Sequence, residues 1–344
     1  MHKYAILYHP GHNRVYFEES KSFCQWELAI LCQKAGIELH EPQLAKIGGI
    51  DYITFECPEM LTERAVQDLF HLSFIYALFE VLEGDLMRPV MAADFHLLDP
   101  GISSMLKYTG KTNELFTRTM INVGVYSADI PEGERVRLLD PIAGKGTTLF
   151  EAASCGYDSW GVEIGENVVL EAFHFFKNYL ERARMKHTSH KEKVSGPNKS
   201  FTATKFTFQY GKDKEDFKDA PHTMELVAGN SMYAGTYFKK ESFHVLVGDL
   251  PYGVQHGNVT AQKQSSLTRN PKELVRACLP AWKDVLKKGG VIVLSWNCLV
   301  LPREELASLF EEAGMEVLRG EAYDSFAHRV DQSIRRDIIA ARKI

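Results

Sequence analysis

A glycine-rich turn at residues 138–149, which reads LLDPIAGKGTTL, is the first place where residue types and spacing indicate chemistry. A strand is predicted to end at Asp140 and a helix to begin near Thr147, with Gly144 and Gly146 in the turn between them. Glycine lets a backbone approach a ligand closely, and a helix N-terminus offers free N–H donors. Such a turn at the carboxyl end of the first strand is the expected ligand site of an open α/β sheet.

Two familiar phosphate-binding turns do not fit this segment. The Walker pattern GxxxxGK[ST] fails, because Lys145 precedes Gly146 instead of following it. The dinucleotide pattern GxGxxG fails as well, because Leu149 lies three residues after Gly146. The ligand of this turn is therefore expected to differ from the ligands of those two patterns.

A second carboxylate follows the next predicted strand, residues 159–162. Glu163 lies 23 residues beyond Asp140, where a carboxylate can accept hydrogen bonds from both hydroxyls of a ribose. It could instead cap the helix predicted to begin near Asn167. After the third strand, residues 224–228, the pair Gly229-Asn230 could be a simple turn.

The fourth strand end carries the sequence VGDLPYG at residues 247–253, directly after a β-branched apolar strand. An amine conjugated to a ring or a carbonyl is a poor nucleophile, because its lone pair is delocalised. The carboxylate of Asp249 and a carbonyl beside Pro251 could accept its two N–H bonds and draw the nitrogen towards sp³ character. Proline stiffens the turn, and the ring of Tyr252 could stack on a flat acceptor.

The segment D-P-x-x-G-x-G-T that begins at Asp140 resembles the S-adenosylmethionine loop of class I methyltransferases. The motif at Asp249 resembles the [DN]-P-P-[YF] motif of amino methyltransferases. With Leu250 in place of the first proline, it is similar to that of the THUMP-associated tRNA guanine-N2 methyltransferases. The likeness covers residues 111–344, and too little sequence precedes them for a full THUMP domain.

The resemblance implies S-adenosylmethionine as cofactor, S-adenosylhomocysteine as product and no metal. Asp140 would then organise water or the amino group, Glu163 would bind the ribose, and Asn230 would hold the adenine amino group. The residues implied to bind the cofactor are Asp140, Pro141, Ala143, Gly144, Gly146, Thr147, Thr148, Glu163, Ile164, Asn230, Ser231 and Asp249. The residues implied to act in catalysis are Asp249, Pro251 and Tyr252.

The acceptor implied by this family is guanine N2 of tRNA or another structured RNA, so RNA is the expected partner. Adenine N6 in nucleic acid and a glutamine amide in protein remain open, since both suit the same acid–proline–aromatic geometry. A small-molecule acceptor is a further alternative. A cofactor-binding module without catalysis is disfavoured, because Asp249, Pro251 and Tyr252 are all present.

Strands alternate with helices from Thr112 onward, which favours an α/β, Rossmann-like domain with a mostly parallel, seven-stranded sheet and helices on both faces. We predict this domain at 101–344, with strands at 135–139, 159–162, 224–228, 243–248, 291–296, 316–323 and 332–340, the last two pairing as a hairpin at the sheet edge. Helices are predicted at 147–154, 167–184 and 271–288. The last would end with Lys287 and Lys288 before two glycines.

Residues 1–100 are expected to form a small accessory α/β domain, and the resemblance implies a ferredoxin-like one. We predict strands at 4–8, 15–17 and 51–56, and helices at 22–35 and 62–82. Residues 88–111 have poor periodicity and are interpreted as a connector.

An insertion at 185–222 interrupts the alternating pattern with lysines and with the aromatic residues Phe201, Phe206, Phe208 and Tyr210. It is interpreted either as a solvated loop with a small hairpin or as a basic, aromatic contact for RNA. Lys111, just before the helix at Thr112, could reach the methionine carboxylate.

Composition and charge exclude several other classes of protein. The 344 residues are 45% hydrophobic and 25% charged with a net charge of −5, which is typical of a soluble protein and unlike a uniformly basic nucleic-acid binder. The longest apolar run, residues 69–82, is too short to span a membrane. Six scattered cysteines indicate a reducing, cytoplasmic location. The histidines His9, His12, His256 and His328 lack the spacing of metal ligands.

Overall fold

The computed structural model describes residues 1–10, 14–108, 110–252 and 270–344. The first ninety residues form an antiparallel sheet with the strand order β2-β3-β1-β4-β5. Its elements are β1 (His2–Tyr8), α1 (Arg14–Ser20), α2 (Cys24–Ala35), β2 (His40–Ile47), β3 (Ile50–Cys57), α3 (Glu63–Leu69), β4 (Ile75–Val81) and β5 (Met87–Val90). We call this part the N-terminal unit. Apart from α1 and β5, its elements follow one another as β-α-β-β-α-β, the succession of the ferredoxin-like motif.

Two predictions for this unit are wrong. The segment expected as a strand at 15–17 lies in helix α1. The long helix expected at 62–82 is the short helix α3 followed by strand β4. Leu72 and Phe74 are buried in the turn between them, so the apolar run continues through three different conformations. Periodicity does not distinguish a buried helix from a buried strand in such a run.

The rest of the chain forms a larger sheet with helices on both faces, so the predicted α/β class is confirmed. Its elements before the fourth expected strand are α4 (Ile102–Met105), α5 (Glu114–Ser127), β6 (Arg137–Asp140), α6 (Thr147–Ser154), β7 (Asp158–Glu163), α7 (Glu166–Arg182), β8 (Lys186–Ser195), β9 (Thr202–Gly211), α8 (Lys214–Asp219), β10 (His222–Ala228) and α9 (Ala234–Tyr237). Those that follow are β11 (Phe243–Asp249), α10 (Pro271–Val285), β12 (Leu286–Asn297), α11 (Arg303–Glu312), β13 (Met315–Val317), α12 (Glu321–Asp324), β14 (His328–Arg329) and β15 (Arg335–Lys343).

In the part of the chain that the structure describes, ten strands instead of the seven expected make up this sheet. Their order is β13-β15-β12-β11-β6-β7-β10-β9-β8, with β14 paired to β15. Strands β6, β7, β10, β11 and β12 are parallel to one another. The three extra strands are β8 and β9 from the insertion and the two-residue β14. The last two predicted strands do pair, but β15 lies inside the sheet between β12 and β13.

Helix α10 ends at Val285, and Lys287 and Lys288 belong to strand β12 instead of the helix C-terminus. The strand begins there because Leu286 pairs with Phe243 of β11. The side chain of Lys287 extends to Glu134 and to Nε2 of His244. The predicted helix was therefore too long by three residues.

The insertion is a β-hairpin that extends the sheet beyond β10, followed by the short helix α8. The rings of Phe206, Phe208 and Tyr210 point from β9 into the core and pack on Phe173 and Phe176 of α7. They are not available to stack on RNA bases. The interpretation of these three aromatic residues as an RNA contact is wrong. The alternative, a solvated loop with a small hairpin, is correct for the hairpin, whose outer strand β8 is mostly exposed, and wrong for the buried rings of β9.

The N-terminal unit and the large sheet share a core. Tyr16, Phe23 and Ile30 belong to the same buried cluster as Phe116 and Met120 of helix α5. Beside this cluster, the buried carboxylate of Glu27 accepts hydrogen bonds from the side chains and backbone of three other residues. These donors are Ser73 N and Oγ, Asn122 Nδ2 and Thr119 Oγ1. Two of the three residues lie on α5, so polar as well as apolar contacts join the two parts.

Candidate active site

The order of the strands determines where a ligand site can form. After β6 the chain adds β7 and β10 on one side and then crosses to add β11 and β12 on the other. In open α/β sheets the crevice at such a reversal, outside the carboxyl ends of the strands, is where ligands bind. Asp140 ends β6 and Asp249 ends the neighbouring strand β11. Both predicted motifs therefore meet at this point.

The glycine turn has the geometry that its sequence predicts. Gly144 and Gly146 have φ angles of 51° and 87°, in the left-handed region that favours glycine. Helix α6 begins directly afterwards at Thr147. Strand β7 lies so close below the turn that a Cβ on Gly161 would stand 2.8 Å from that of Ala143. The close packing against β7 thus holds the turn against the sheet.

Two cavities of about 270 Å³ each adjoin at this crevice. The first, the Glu163 cavity, is lined by Pro141, Ile142, Val162, Glu163, Ile164, Gly229, Asn230, Ser231, Asp249, Pro251 and Leu274. The second, the Asp140 cavity, is lined by Tyr108, Gly110, Thr112, Thr117, Met120, Asp140, Ile142, Ala143, Gly144, Thr147, Thr148, Asp249, Leu250, Pro251 and Tyr252. Ile142, Asp249 and Pro251 line both, so the two cavities form one continuous crevice.

The structure brings together all but one of the predicted site residues. Gly146 lines neither cavity, and its role is to allow the turn before α6. Gly144 and Tyr252 line the same cavity, as the prediction of a shared crevice requires. Lys111 lines neither cavity and lies in a neighbouring cleft.

Each carboxylate of the crevice has a different environment. Glu163 accepts hydrogen bonds from the backbone N–H of Gly144 at 3.1 Å and of Gly165 at 2.8 Å. Asp140 is 3% exposed and accepts from the N–H of Ile142 at 3.0 Å. Burial, the largest cause, together with the charges of Asp249 and Glu163 raises the pKa of Asp140 to about 7, against hydrogen bonds that lower it. Asp140 can therefore be neutral or ionised near neutral pH.

Asp249 is surrounded by hydroxyl groups. Its carboxylate accepts hydrogen bonds from Thr112, from Ser295 and from the Tyr252 hydroxyl, the last at 2.9 and 2.7 Å to the two oxygens. The backbone N–H of Leu250 donates to the carbonyl of Ser295 at 2.8 Å. A proline at this position would lack that N–H. The hydrogen bond to β12 explains why leucine can replace the usual proline while the turn remains fixed.

Arg336 is the residue that sequence reasoning missed most clearly. It is buried on strand β15, its guanidinium donates to the Tyr252 hydroxyl, and it lies over the rings of Phe116 and Tyr252 at 4.6 and 5.2 Å. Burial and the charge of Asp249 raise the pKa of Tyr252 well above its ordinary value, so the phenol stays protonated. The sequence places Arg336 on the predicted strand at 332–340, and no local signal marks it as a site residue.

The other missed residues come from helix α5 and the segment before it. Thr112, Thr117 and Met120 line the Asp140 cavity, and Tyr108 lies beside the glycine turn with its hydroxyl 3.0 Å from that of Thr147. The expected helix at 112–127 could have indicated these residues, because one face of it had to cover the crevice.

Comparisons with known proteins give distant likenesses. No family model and no curated protein matches the chain. Among solved structures, TehB from Haemophilus influenzae is 12% identical with a TM-score of 0.35 over 62% of this chain and 59% of that chain. A rRNA methylase from Streptococcus thermophilus is 10% identical with a TM-score of 0.34, over 69% and 99%. A SAM-dependent methyltransferase from Leishmania major is 12% identical with a TM-score of 0.37, over 65% and 71%.

The matched region thus spans less than two thirds of the TehB chain. The strand order of the large sheet itself therefore defines the fold of this chain. In the described parts of the chain, no helix is long and apolar enough to cross a membrane. Among the same residues, no three His, Cys, Asp or Glu side chains lie together as metal ligands would. His12 and His256 lie outside the described residues.

Proposed function

We propose that this chain transfers a methyl group from S-adenosylmethionine to an exocyclic amino nitrogen. The observation that carries the proposal is the continuous crevice at the β6–β11 reversal, with the glycine turn on one side and Asp249, Pro251 and Tyr252 on the other. S-adenosylmethionine supplies an electrophilic methyl group on a sulfonium. The crevice would hold it next to an amine.

The residues of the crevice fit this cofactor. Glu163 uses each oxygen once for a backbone N–H and retains lone pairs for two ribose hydroxyls. Asn230 and Ile164 lie in the same cavity, where a flat adenine would be held. Gly144 and Thr147 leave room for the methionine part, and Asp140 can supply a negative charge near a sulfonium or an ammonium group. The cavity beside Asp249 would then contain the methyl group.

Asp249 and Tyr252 suit an amine acceptor. In the structure the Tyr252 hydroxyl donates to both oxygens of Asp249. An amine N–H would take the place of that hydroxyl as the donor to Asp249, while the Tyr252 ring stacks on the acceptor. Rate enhancement would come mainly from positioning the nitrogen in line with the methyl group. After transfer, the nitrogen becomes acidic and its proton can leave to Asp249 or to water.

For the acceptor we favour guanine N2 of tRNA or another structured RNA. The support is the D-L-P-Y-G motif at residues 249–253 and the β-α-β-β-α-β succession of the N-terminal unit, which together resemble the THUMP-associated enzymes. Gly253, the last residue of the motif, lies outside the described residues. Cytoplasmic RNA would be the natural partner of such an enzyme.

The proposal is tested with isotopically labelled S-adenosylmethionine and three separate acceptors: unmodified tRNA, DNA and a protein extract. We expect label in tRNA, and N2-methylguanosine after its digestion to nucleosides. Label in protein alone would exclude the RNA acceptor but retain the methyltransferase. Failure to bind S-adenosylhomocysteine in calorimetry would refute the proposal as a whole.

A further inference from the structure

A large cleft lies beside the crevice, between the N-terminal unit and the large sheet. It measures about 680 Å³, more than either of the two cavities of the crevice. Tyr16 contributes to it from the N-terminal unit, Lys111 and Glu114 from the start of α5, and Arg329 and Arg336 from the last strands. Arg336 also bonds to Tyr252, so the cleft opens next to the catalytic motif.

The charges that line this cleft are mostly positive. Lys111, Arg329 and Arg336 face a single carboxylate among the described lining residues, that of Glu114, which pairs with Lys111 at 3.4 Å. Burial lowers the pKa of His328 to about 4, so this histidine adds no charge at neutral pH. Among the described lining residues neither arginine forms an ion pair, although the charge of Asp249 acts on Arg336 and Asp331 lies beside Arg329. The positive lining contrasts with the net charge of −5 for the whole chain.

Arg336 carries an incomplete set of contacts. It is 6% exposed, yet its Nε has no hydrogen-bond partner among the described residues, and within that set it forms no ion pair with a carboxylate. The nearby charge of Asp249 favours the guanidinium cation, and the group donates to the Tyr252 hydroxyl, but a guanidinium has five N–H donors and the buried Nε–H has no acceptor in the described part of the chain. Such a group at the junction of a cleft and a catalytic motif is arranged to receive an acceptor or an anion from a ligand.

We propose that this cleft binds the acceptor as a nucleotide of a single-stranded or flipped-out segment, with the base directed past Arg336 to Asp249 and the flanking phosphate held by Lys111 and Arg329. The inference rests on the proposed function and deepens it, because it selects a nucleic acid over a protein amide. A base that is methylated on its edge must leave its stack, and its backbone then needs a positively charged path. The positive cleft wall provides that path.

The test uses a fluorescein-labelled five-nucleotide single-stranded RNA with one central guanine, at saturating S-adenosylhomocysteine. The variants are Lys111→Ala, Arg329→Ala and their double. The control is Arg335→Ala, an exposed arginine that precedes Arg336 on β15 and does not line the cleft. Anisotropy at several salt concentrations gives the dissociation constant and its salt dependence, and calorimetry measures S-adenosylhomocysteine binding by each variant.

We expect the double variant to bind the RNA about tenfold more weakly, and each single variant to reduce the salt slope by about 0.7, the value for one lost phosphate contact on a single strand. Arg335→Ala should change RNA binding less than twofold. All variants should retain S-adenosylhomocysteine binding, because none of these residues lines the cofactor cavities.

If Arg335→Ala weakened RNA binding as much as the double variant does, the binding would come from diffuse electrostatic attraction. The cleft would then not be the binding site. Unchanged RNA binding in the double variant would lead to the same conclusion. If a glutamine peptide displaced the RNA from the wild-type protein as well as unlabelled RNA does, the acceptor would be protein. If S-adenosylhomocysteine still binds in these cases, only the cleft proposal fails and methyl transfer remains the proposed function. If the wild-type protein does not bind S-adenosylhomocysteine, the proposed function itself is refuted.

Discussion

At the scale of single residues, the hydroxyl groups around Asp249 show how a carboxylate can be kept ready for an amine. Thr112, Ser295 and Tyr252 all donate to it, and each comes from a different part of the chain. The side chain is thereby held in one orientation. When an acceptor amine binds, only the hydrogen bond from the Tyr252 hydroxyl to Asp249 has to break, and Tyr252 is also the residue that would stack on the acceptor.

The first prediction concerns Asp249. Asp249→Ala should abolish methyl transfer, because the amine would lose the carboxylate that accepts one of its N–H bonds and orients it, while the affinity for S-adenosylhomocysteine should stay within about tenfold. Single-turnover transfer and calorimetry measure the two quantities. Ser295→Ala is the control, since it removes one donor and keeps the carboxylate, and we expect only a partial loss of rate. A variant Asp249→Ala that no longer binds S-adenosylhomocysteine would show that this residue was assigned wrongly.

The second prediction follows from the raised pKa of Asp140, about 7. Below that pH the carboxyl is neutral, and above it the charge attracts a cation. Affinity for the sulfonium of S-adenosylmethionine should therefore rise between about pH 6 and pH 8, with proton release, relative to that for uncharged S-adenosylhomocysteine. Asp140→Asn should remove this difference. The same shift makes the folded state bind the proton more tightly than the unfolded one, so stability attributable to Asp140 falls as pH rises from about 4 to about 7.

The sequence could predict the residues that follow strand ends, because glycines, carboxylates and prolines have local signatures. Asp140, Glu163, Asn230 and Asp249 all lie in the crevice. It could not predict Arg336, which is over eighty residues from Tyr252 and meets it only through the pairing of β15 with β12. Contacts of that kind depend on sheet order.

At the scale of secondary-structure elements, the close approach of β7 to the glycine turn explains why a glycine stands at 161. A Cβ there would lie 2.8 Å from Ala143 Cβ and 2.9 Å from Leu149 Cδ2. Both contacts are too short. Ala143 Cβ is fixed to the backbone, and Leu149 is fully buried, so neither can readily move away. The turn and helix α6 are thus seated directly on the strand.

The third prediction uses this contact. Gly161→Ala should lower the free energy of unfolding by about 1–3 kcal/mol through overpacking, and weaken S-adenosylhomocysteine binding as the turn shifts. Urea denaturation and calorimetry provide the measurements. Gly235→Ala on α9 is the matched control, because the nearest atom to its Cβ is Asp284 Oδ2 at 3.6 Å. Equal stability of the two variants would contradict the packing argument.

The fourth prediction concerns the hairpin of β8 and β9. Phe208 is fully buried against α7, so Phe208→Ala should lower the free energy of unfolding by about 3–5 kcal/mol. Its neighbour Gln209 is exposed, and Gln209→Ala should change stability by less than about 0.5 kcal/mol. Loss of RNA binding without loss of stability in Phe208→Ala would restore the RNA-contact interpretation.

Elements with a strong period were predictable and those without one were not. Helix α6 has its predicted bounds, and α2 and α7 begin and end within two residues of theirs. Strand β2 went unpredicted, because it is an edge strand in which half of the residues are polar and none is buried. A ligand surface was one of two interpretations of the aromatic residues of β9, since a strand that borders a helix and one that borders a base have the same alternating pattern.

At the scale of the whole molecule, the N-terminal unit and the large sheet behave as one body in their packing. The fifth prediction is that Glu27→Ala lowers the free energy of unfolding by about 2–5 kcal/mol, because it removes the buried acceptor shared by Ser73, Asn122 and Thr119. Asn122 and Thr119 keep their bonds to backbone carbonyls, whereas Ser73 N–H has no other acceptor among the described residues. Gln33→Ala, exposed on the same helix α2, should have almost no effect. A single cooperative urea transition that moves only in Glu27→Ala would support this; two separate transitions would speak against it.

The contacts of helix α5 limit how the N-terminal unit and the large sheet can evolve separately. Thr117 and Met120 border the crevice, whereas Thr119 and Asn122 of the same helix reach Glu27 across the junction. If another domain replaced the N-terminal unit in front of residues 101–344, the side chains of Thr119 and Asn122 would lose their partner Glu27. The position of α5 would shift, and with it the wall of the crevice next to the sulfonium. The two halves are therefore expected to diversify together, with compensating substitutions at positions 27, 119 and 122.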